Sequence, residues 1–145
     1  MEPTTPTDPP AYSLYSPGQI ALASFLGAPL AACWFWSRND LRLGQPDRAR
    51  QCLIWGVVGT VAVFLVAAFL PDRFPNLVLP IGYTVGLYHA AKQRHGAIVT
   101  QHLDAGGSLG SWWEVVGLGL LSLVLLLVVL FGVVFAISLF FPVGS

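Results

Sequence analysis

A chain of 145 residues that is 55% hydrophobic and only 10% charged is too poor in polar groups to cover a water-facing domain, where about 25% charged residues are usual. Apolar surface in that excess calls for lipid as its solvent. A formal net charge of zero gives no reason to expect a nucleic acid partner, and the length fits one compact unit.

The opening MEPTTPTDPP is acidic and proline-rich. It lacks the basic start and small-residue cleavage site of a secretory signal, so residues 1–14 are expected to be a disordered or extended tail. GQIALASFLGAPLAACWFW follows, and the first predicted span covers about 17–37. Ser16 suits the cap, Pro17 the first helical position, and Gln19 the reciprocal capping-box position. Pro29 predicts a kink inside the span, and Trp34 and Trp36 suit an interfacial end.

CLIWGVVGTVAVFLVAAFL predicts a second span at 52–70, closed by the stiff turn PDRFPN. LVLPIGYTVGLYHAA at 77–91 is short for a crossing, but the charge pattern favours one. Residues 92–111 read as a polar connection with one amphipathic turn around Ile98–Leu103. The last predicted span, 113–141, has Ser111 and Glu114 in capping-box spacing, Trp112 and Trp113 at the interface, and Pro142 at its end. As a helix it exceeds the bilayer core and must tilt or project.

Arg38, Arg42, Arg48 and Arg50 sit after the first span and Lys92 and Arg94 after the third, against Arg73 alone in the other loop. The positive-inside rule then places both richer loops in the cytoplasm and, with four crossings, both termini outside. The predicted architecture is an all-α, integral membrane four-helix bundle, a single transmembrane domain over 15–142.

Ala23, Gly27 and Ala31 in the first span, and Gly82 and Gly86 in the third, have the spacing that lets helices approach closely in lipid. Such faces serve packing within the bundle or between copies. His89 is the one ionisable group in the interior of a predicted span, Glu114 standing in the capping turn of the last. With Thr60, Tyr83 and Thr84 it supplies the membrane's polar candidates, though without a second histidine or internal methionine span ligand for haem. His95, His102 and Asp104 fall in the polar connection and read as a solvated loop; Asn39 and Asp40 read as a cap on a short turn before Gly44–Pro46. The basic loop of Arg38, Arg42, Arg48 and Arg50 suits anionic lipid. Cys33 and Cys52 read as packing residues, with no disulfide expected on the side where the topology puts them.

Neither a nucleophile elbow nor a phosphate loop with its lysine is present in the sequence. YSPGQIALASFLGAPLAACWFWSRN (15–39) and GGSLGSWWEVVGLGLLSL (106–123) resemble a group of small uncharacterised bacterial inner-membrane proteins. The resemblance implies a multi-pass location in that membrane and carries no assigned activity. The function expected is non-enzymatic: an accessory or assembly component packing against itself or another membrane protein, with lipid around it, no cofactor, and no catalytic or metal residues. The alternatives are a homo-oligomeric channel or transporter subunit, and a metal- or haem-binding protein using His89.

Overall fold

The computed structural model describes residues 8–71, 73–75 and 77–140. Residues 1–7 of the expected tail, residue 141 of the last span and Pro142 lie outside the described residues. The fold is all-α with four helices: α1 (Pro17–Arg42), α2 (Pro46–Phe69), α3 (Val78–Asp104) and α4 (Trp112–Phe140). Two short strands, β1 (Ser13–Leu14) and β2 (Ser108–Leu109), pair in parallel. Ser13 and Leu14 are therefore not part of a free tail.

The start of α1 is the reciprocal cap that its sequence specifies. Gln19 N–H donates to Ser16 Oγ at 3.2 Å, Ser16 N–H donates to Gln19 Oε1 at 2.9 Å, and Pro17 occupies the first turn. The rest of α1 departs from the expected kinked span. Helical geometry breaks at Gly27 (φ −120°, ψ 25°) and Ala28 (φ 61°, ψ 179°), and the chain reverses. Asn39 proves the reversal: its Oδ1 accepts from Tyr15 N–H at 2.8 Å, and its Nδ2 donates to the Tyr15 carbonyl at 2.8 Å. An unbroken helix would hold residues 15 and 39 roughly 36 Å apart.

So α1 is a hairpin with limbs at 17–26 and 29–42, roughly 15 and 21 Å long. Neither limb reaches across a hydrocarbon core of about 30 Å, and the predicted single crossing at 17–37 is corrected to a fold-back. The local cause is readable. Pro29 lacks an N–H and disfavours right-handed helix at the residue before it, while Gly27 bends freely. Ala28 then takes a positive φ that costs a residue with a Cβ about 1–3 kcal/mol.

The other three helices pack on this hairpin and barely touch one another. Close approach depends on glycine. A Cβ at Gly27 would lie 2.9 Å from both the Gly119 carbonyl and Ser122 Cβ of α4, and one at Gly56 of α2 would lie 2.6 Å from Cys33 Cβ. Burial of Ala91, His95, Val99 and His102 marks one stripe of α3, the spacing of a helix face turned toward α1. That stripe carries α3 through Gly96 to Asp104, so the first part of the expected polar connection is helix.

Among the described residues, α1, α2 and α4 are long and apolar enough to cross a membrane by length and composition, but α1 reaches that length only across its break at Gly27 and Ala28. The α3 helix is not in that set, since its second half is polar. The fold-back also puts residue 15 at the end of the molecule where α2 and α4 start and α3 finishes, while α2 and α4 run out to the opposite end. Residues 8 and 140 thus lie at opposite ends of the bundle; the termini, expected on one side of the membrane, lie outside the described residues.

Candidate functional site

Two polar constellations organise the hairpin, one at its open end and one at its tip. At the open end, Asn39 and Asp40 lie inside α1, fully buried, instead of capping an exposed turn. Asn39 clamps Tyr15 as described. Gln19, also fully buried, donates from Nε2 to the Gly110 carbonyl at 2.6 Å and so ties the first limb to the segment entering α4. Arg42 donates to the Ser13 carbonyl and lies 5.3 Å from the centre of the Tyr15 ring. Tyr15 packs edge-on against Phe35 at 4.6 Å. Burial pushes its phenol above the ordinary tyrosine range, and nearby Glu114 adds to this, although no hydrogen bond of normal geometry reaches its hydroxyl.

Asp40 joins α1 to α3. His95 Nε2–H donates to Asp40 Oδ1 at 2.9 Å, and Arg94 Nη2 lies 3.5 Å from Oδ2. A carboxylate with no solvent exposure needs such partners, because removing an unpaired charge from water costs several kcal/mol. The Trp36 ring completes the wall, 5.6 Å from His95 and 5.5 Å from the Arg94 guanidinium. Burial lowers the His95 pKa, and Asp40 opposes that shift. The imidazole is then neutral at neutral pH, with its Nδ1 buried and without a partner. Asp–His pairs of this form hold an imidazole for proton transfer in hydrolases, but here the second nitrogen is enclosed and the pair acts as an interhelical tie.

His102 likewise is not a solvated loop residue. It is buried, sits 3.2 Å from the Ser108 carbonyl, and stacks on Tyr12 at 4.9 Å. Asp104, by contrast, is exposed at the end of α3. Residues 12–15, the ends of α1 and α3, and β2 thus form one clasp.

At the tip, the broken helix leaves backbone groups that neither limb satisfies. Leu30 N–H, at the start of the second limb, donates to Thr60 Oγ1 of α2 at 3.0 Å. The Gly27 carbonyl, where the first limb ends, accepts from Ser122 Oγ of α4 at 3.2 Å. Each flanking helix contributes one hydroxyl to one side of the break. Beyond the tip lies an apolar cavity of about 330 Å³ bordered by all four helices, including Phe25, Phe64, Tyr83 and Leu126. A second, of about 370 Å³, lies between α1, α2 and α4 beside Leu30, Trp34, Leu53, Val57 and Leu118.

The structure separates the residues that the sequence singled out. Ala23, Gly27 and Ala31 are buried in the hairpin. Gly82 and Gly86 have open space where a Cβ would stand. Tyr83 and Thr84 are half-buried, the Thr84 hydroxyl without a partner, and His89 is exposed beside Tyr88. Of the basic loop, Arg42 belongs to the clasp, Arg48 bonds Gln45 at the surface, Arg38 is half-exposed and Arg50 is exposed. Among the described residues no group of three or more His, Cys, Asp or Glu side chains is placed to hold a metal ion.

Sequence reasoning missed Asp40, Asn39, Arg94, Ser122 and the tertiary role of Gln19. The one available signal was His95 and His102 at helical spacing on a common face. Compared with protein-family models, curated proteins and solved structures, the chain matches none.

Proposed function

We propose that this protein is a non-enzymatic, multi-pass component of a bacterial inner membrane, with three crossings and one re-entrant hairpin, that packs against another membrane protein or a second copy. One observation carries the reading: the most apolar stretch of α4 is entirely unburied within the chain. Phe131, Phe135 and Phe140 are 70%, 66% and 81% exposed, a surface that only lipid or another membrane protein can cover. Non-helical backbone at membrane depth is tolerated only inside protein; the capped tip, between α2 and α4, meets that condition. The open Gly82–Gly86 face favours association with a neighbouring helix.

Orientation follows from charge. Arg38, Arg42, Arg48, Arg50, Lys92 and Arg94 all belong to the clasp end, while Arg73 lies at the far end. The clasp is therefore cytoplasmic, and so are residues 8–16.

The test places single cysteines by Ala11→Cys, Arg48→Cys, Phe74→Cys and Asp104→Cys in a chain carrying Cys33→Ser and Cys52→Ser. Positions 11, 48 and 104 should react with an impermeant maleimide only after the membrane is opened, and position 74 in intact spheroplasts. Labelling of 11 from outside with 48 protected would restore a full first crossing and defeat the hairpin topology. Release of the chain into the soluble fraction by alkaline carbonate would defeat the membrane reading itself.

A further inference from the structure

The second limb of α1 has one face that the other helices leave partly uncovered. Leu30, Trp34, Arg38 and Arg42 recur every four residues, so they stand one above another along that limb. Two cavities lie on this face and meet at Trp34 and Leu53, which border both. The deeper one, about 370 Å³ between α1, α2 and α4, is walled by Leu30, Val57, Leu118 and Leu125. Ser122, the one hydroxyl there, is engaged with the Gly27 carbonyl. The outer one, about 450 Å³, adds Ser37, Arg38, Leu41 and Arg42. Together they make a groove that is apolar below and cationic at its mouth.

No carboxylate lines that mouth. Asp40, on the same limb, is committed to His95 and Arg94, and Glu114 stands beside Tyr15, outside the lining. Arg42 donates to the Ser13 carbonyl and hydroxyl from Nη1 alone, which leaves the Nε and Nη2 donors of its guanidinium. Arg38 enters no ion pair among the described residues. Two guanidiniums one helical turn apart, neither matched by an acid, suit an anion with several oxygens, and their planar fork fits phosphate. The depth of the groove fits as well. From Arg38 to Leu30 the limb rises roughly 12 Å, while one leaflet supplies about 15 Å of hydrocarbon. We infer that this groove holds an anionic phospholipid of the cytoplasmic leaflet, its phosphate on Arg38 and Arg42 and one acyl chain between α1, α2 and α4. The inference rests on the membrane reading above. A free phosphate would use the mouth and leave the apolar part unfilled, and a zwitterionic lipid would bring its own cation to a site without an acid.

The experiment uses the full chain in liposomes of phosphatidylcholine with phosphatidylglycerol as the minor component, followed by gentle extraction and native mass spectrometry. The expected result is one phosphatidylglycerol retained per chain in preference to the more abundant phosphatidylcholine. Arg38→Gln should weaken that retention roughly tenfold or more, as loss of a charge-assisted hydrogen bond dictates, with thermal unfolding unchanged. Val57→Trp fills the groove without altering charge and should expel the lipid too. Lys92→Gln removes a cation from the same side of the membrane, outside the groove, and should change nothing. Retention of the two lipids in proportion to the mixture, an equal loss in Lys92→Gln, or full retention in Val57→Trp would each overturn the proposal. So would displacement by inorganic phosphate, which assigns the arginines to a free anion, or a second chain seated in place of the lipid. A failed membrane reading shows itself earlier, as a chain that alkaline carbonate strips from the liposomes.

Discussion

Replacing Thr60 by valine removes one hydroxyl at nearly constant shape, and that hydroxyl holds the Leu30 N–H at 3.0 Å. Because the helix is broken at Gly27 and Ala28, this N–H sits in the first turn of a new limb and has no carbonyl one turn back to take over. Water cannot replace Thr60 Oγ1, since the residue is 4% exposed. An orphaned buried donor costs about 1–3 kcal/mol in water-soluble proteins, whereas interhelical side-chain hydrogen bonds in bilayers average about 0.6 and reach about 1.7 kcal/mol. The expected loss for Thr60→Val is therefore about 1–2 kcal/mol, roughly a 5–30-fold fall in the folded-to-unfolded ratio. Thr60→Ser keeps the acceptor and should lose less than half as much. Equilibrium unfolding in bicelles, read by tryptophan fluorescence, measures both. Equal stability of the valine variant and the parent would refute the claim that the break is held by hydroxyls from its neighbours.

Ala28→Gly should stabilise the fold by about 1 kcal/mol in the same assay, because it relieves a positive φ that an alanine occupies at a cost. Gly27→Leu should abolish folding, as even its Cβ would stand 2.9 Å from Gly119 O and Ser122 Cβ. Gly82→Leu and Gly86→Leu should leave monomer stability unchanged but reduce self-crosslinking if that open face is the contact between copies. Burial depresses the His95 pKa despite the opposing Asp40, with Arg94 also facing the ring. The unfolded chain therefore binds the proton more readily than the folded one. Stability tied to His95 is full above about pH 6.5, the ordinary histidine value, and falls as the pH drops below it. His95→Gln should flatten that limb of the pH–stability curve, and an unchanged curve would remove His95 from the account.

Several elements were legible from local chemistry. Ser16, Pro17 and Gln19 predicted the start of α1 because a cap is settled within one turn. The α4 helix was legible because nothing but a helix suits so long an apolar run in lipid. The hairpin was not legible, because hydropathy measures length and is blind to direction. Pro29 announces a break, but whether the chain bends or reverses is decided by Asn39 gripping Tyr15 and by hydroxyls on two other helices. Asp40 and His95 were read as surface groups because they follow apolar stretches on their own elements. Their burial comes from α1 and α3 running past the expected span ends and meeting there. Gly96 disfavours helix in the middle of α3 by about 1 kcal/mol, a penalty that the buried stripe from Ala91 to His102 overrides.

The clasp also sets an order of events during synthesis. Gln19 waits for Gly110, 91 residues later, and Gly27 waits for Ser122, 95 residues later. At about 5–20 residues per second the nascent hairpin spends roughly 5–20 seconds before its last partners have been made. For that interval the Gly27 carbonyl and the Gln19 amide must be served by water, by lipid headgroups or by a membrane chaperone. The hairpin thus settles into its final depth only as α4 is inserted, and α4 completes α1.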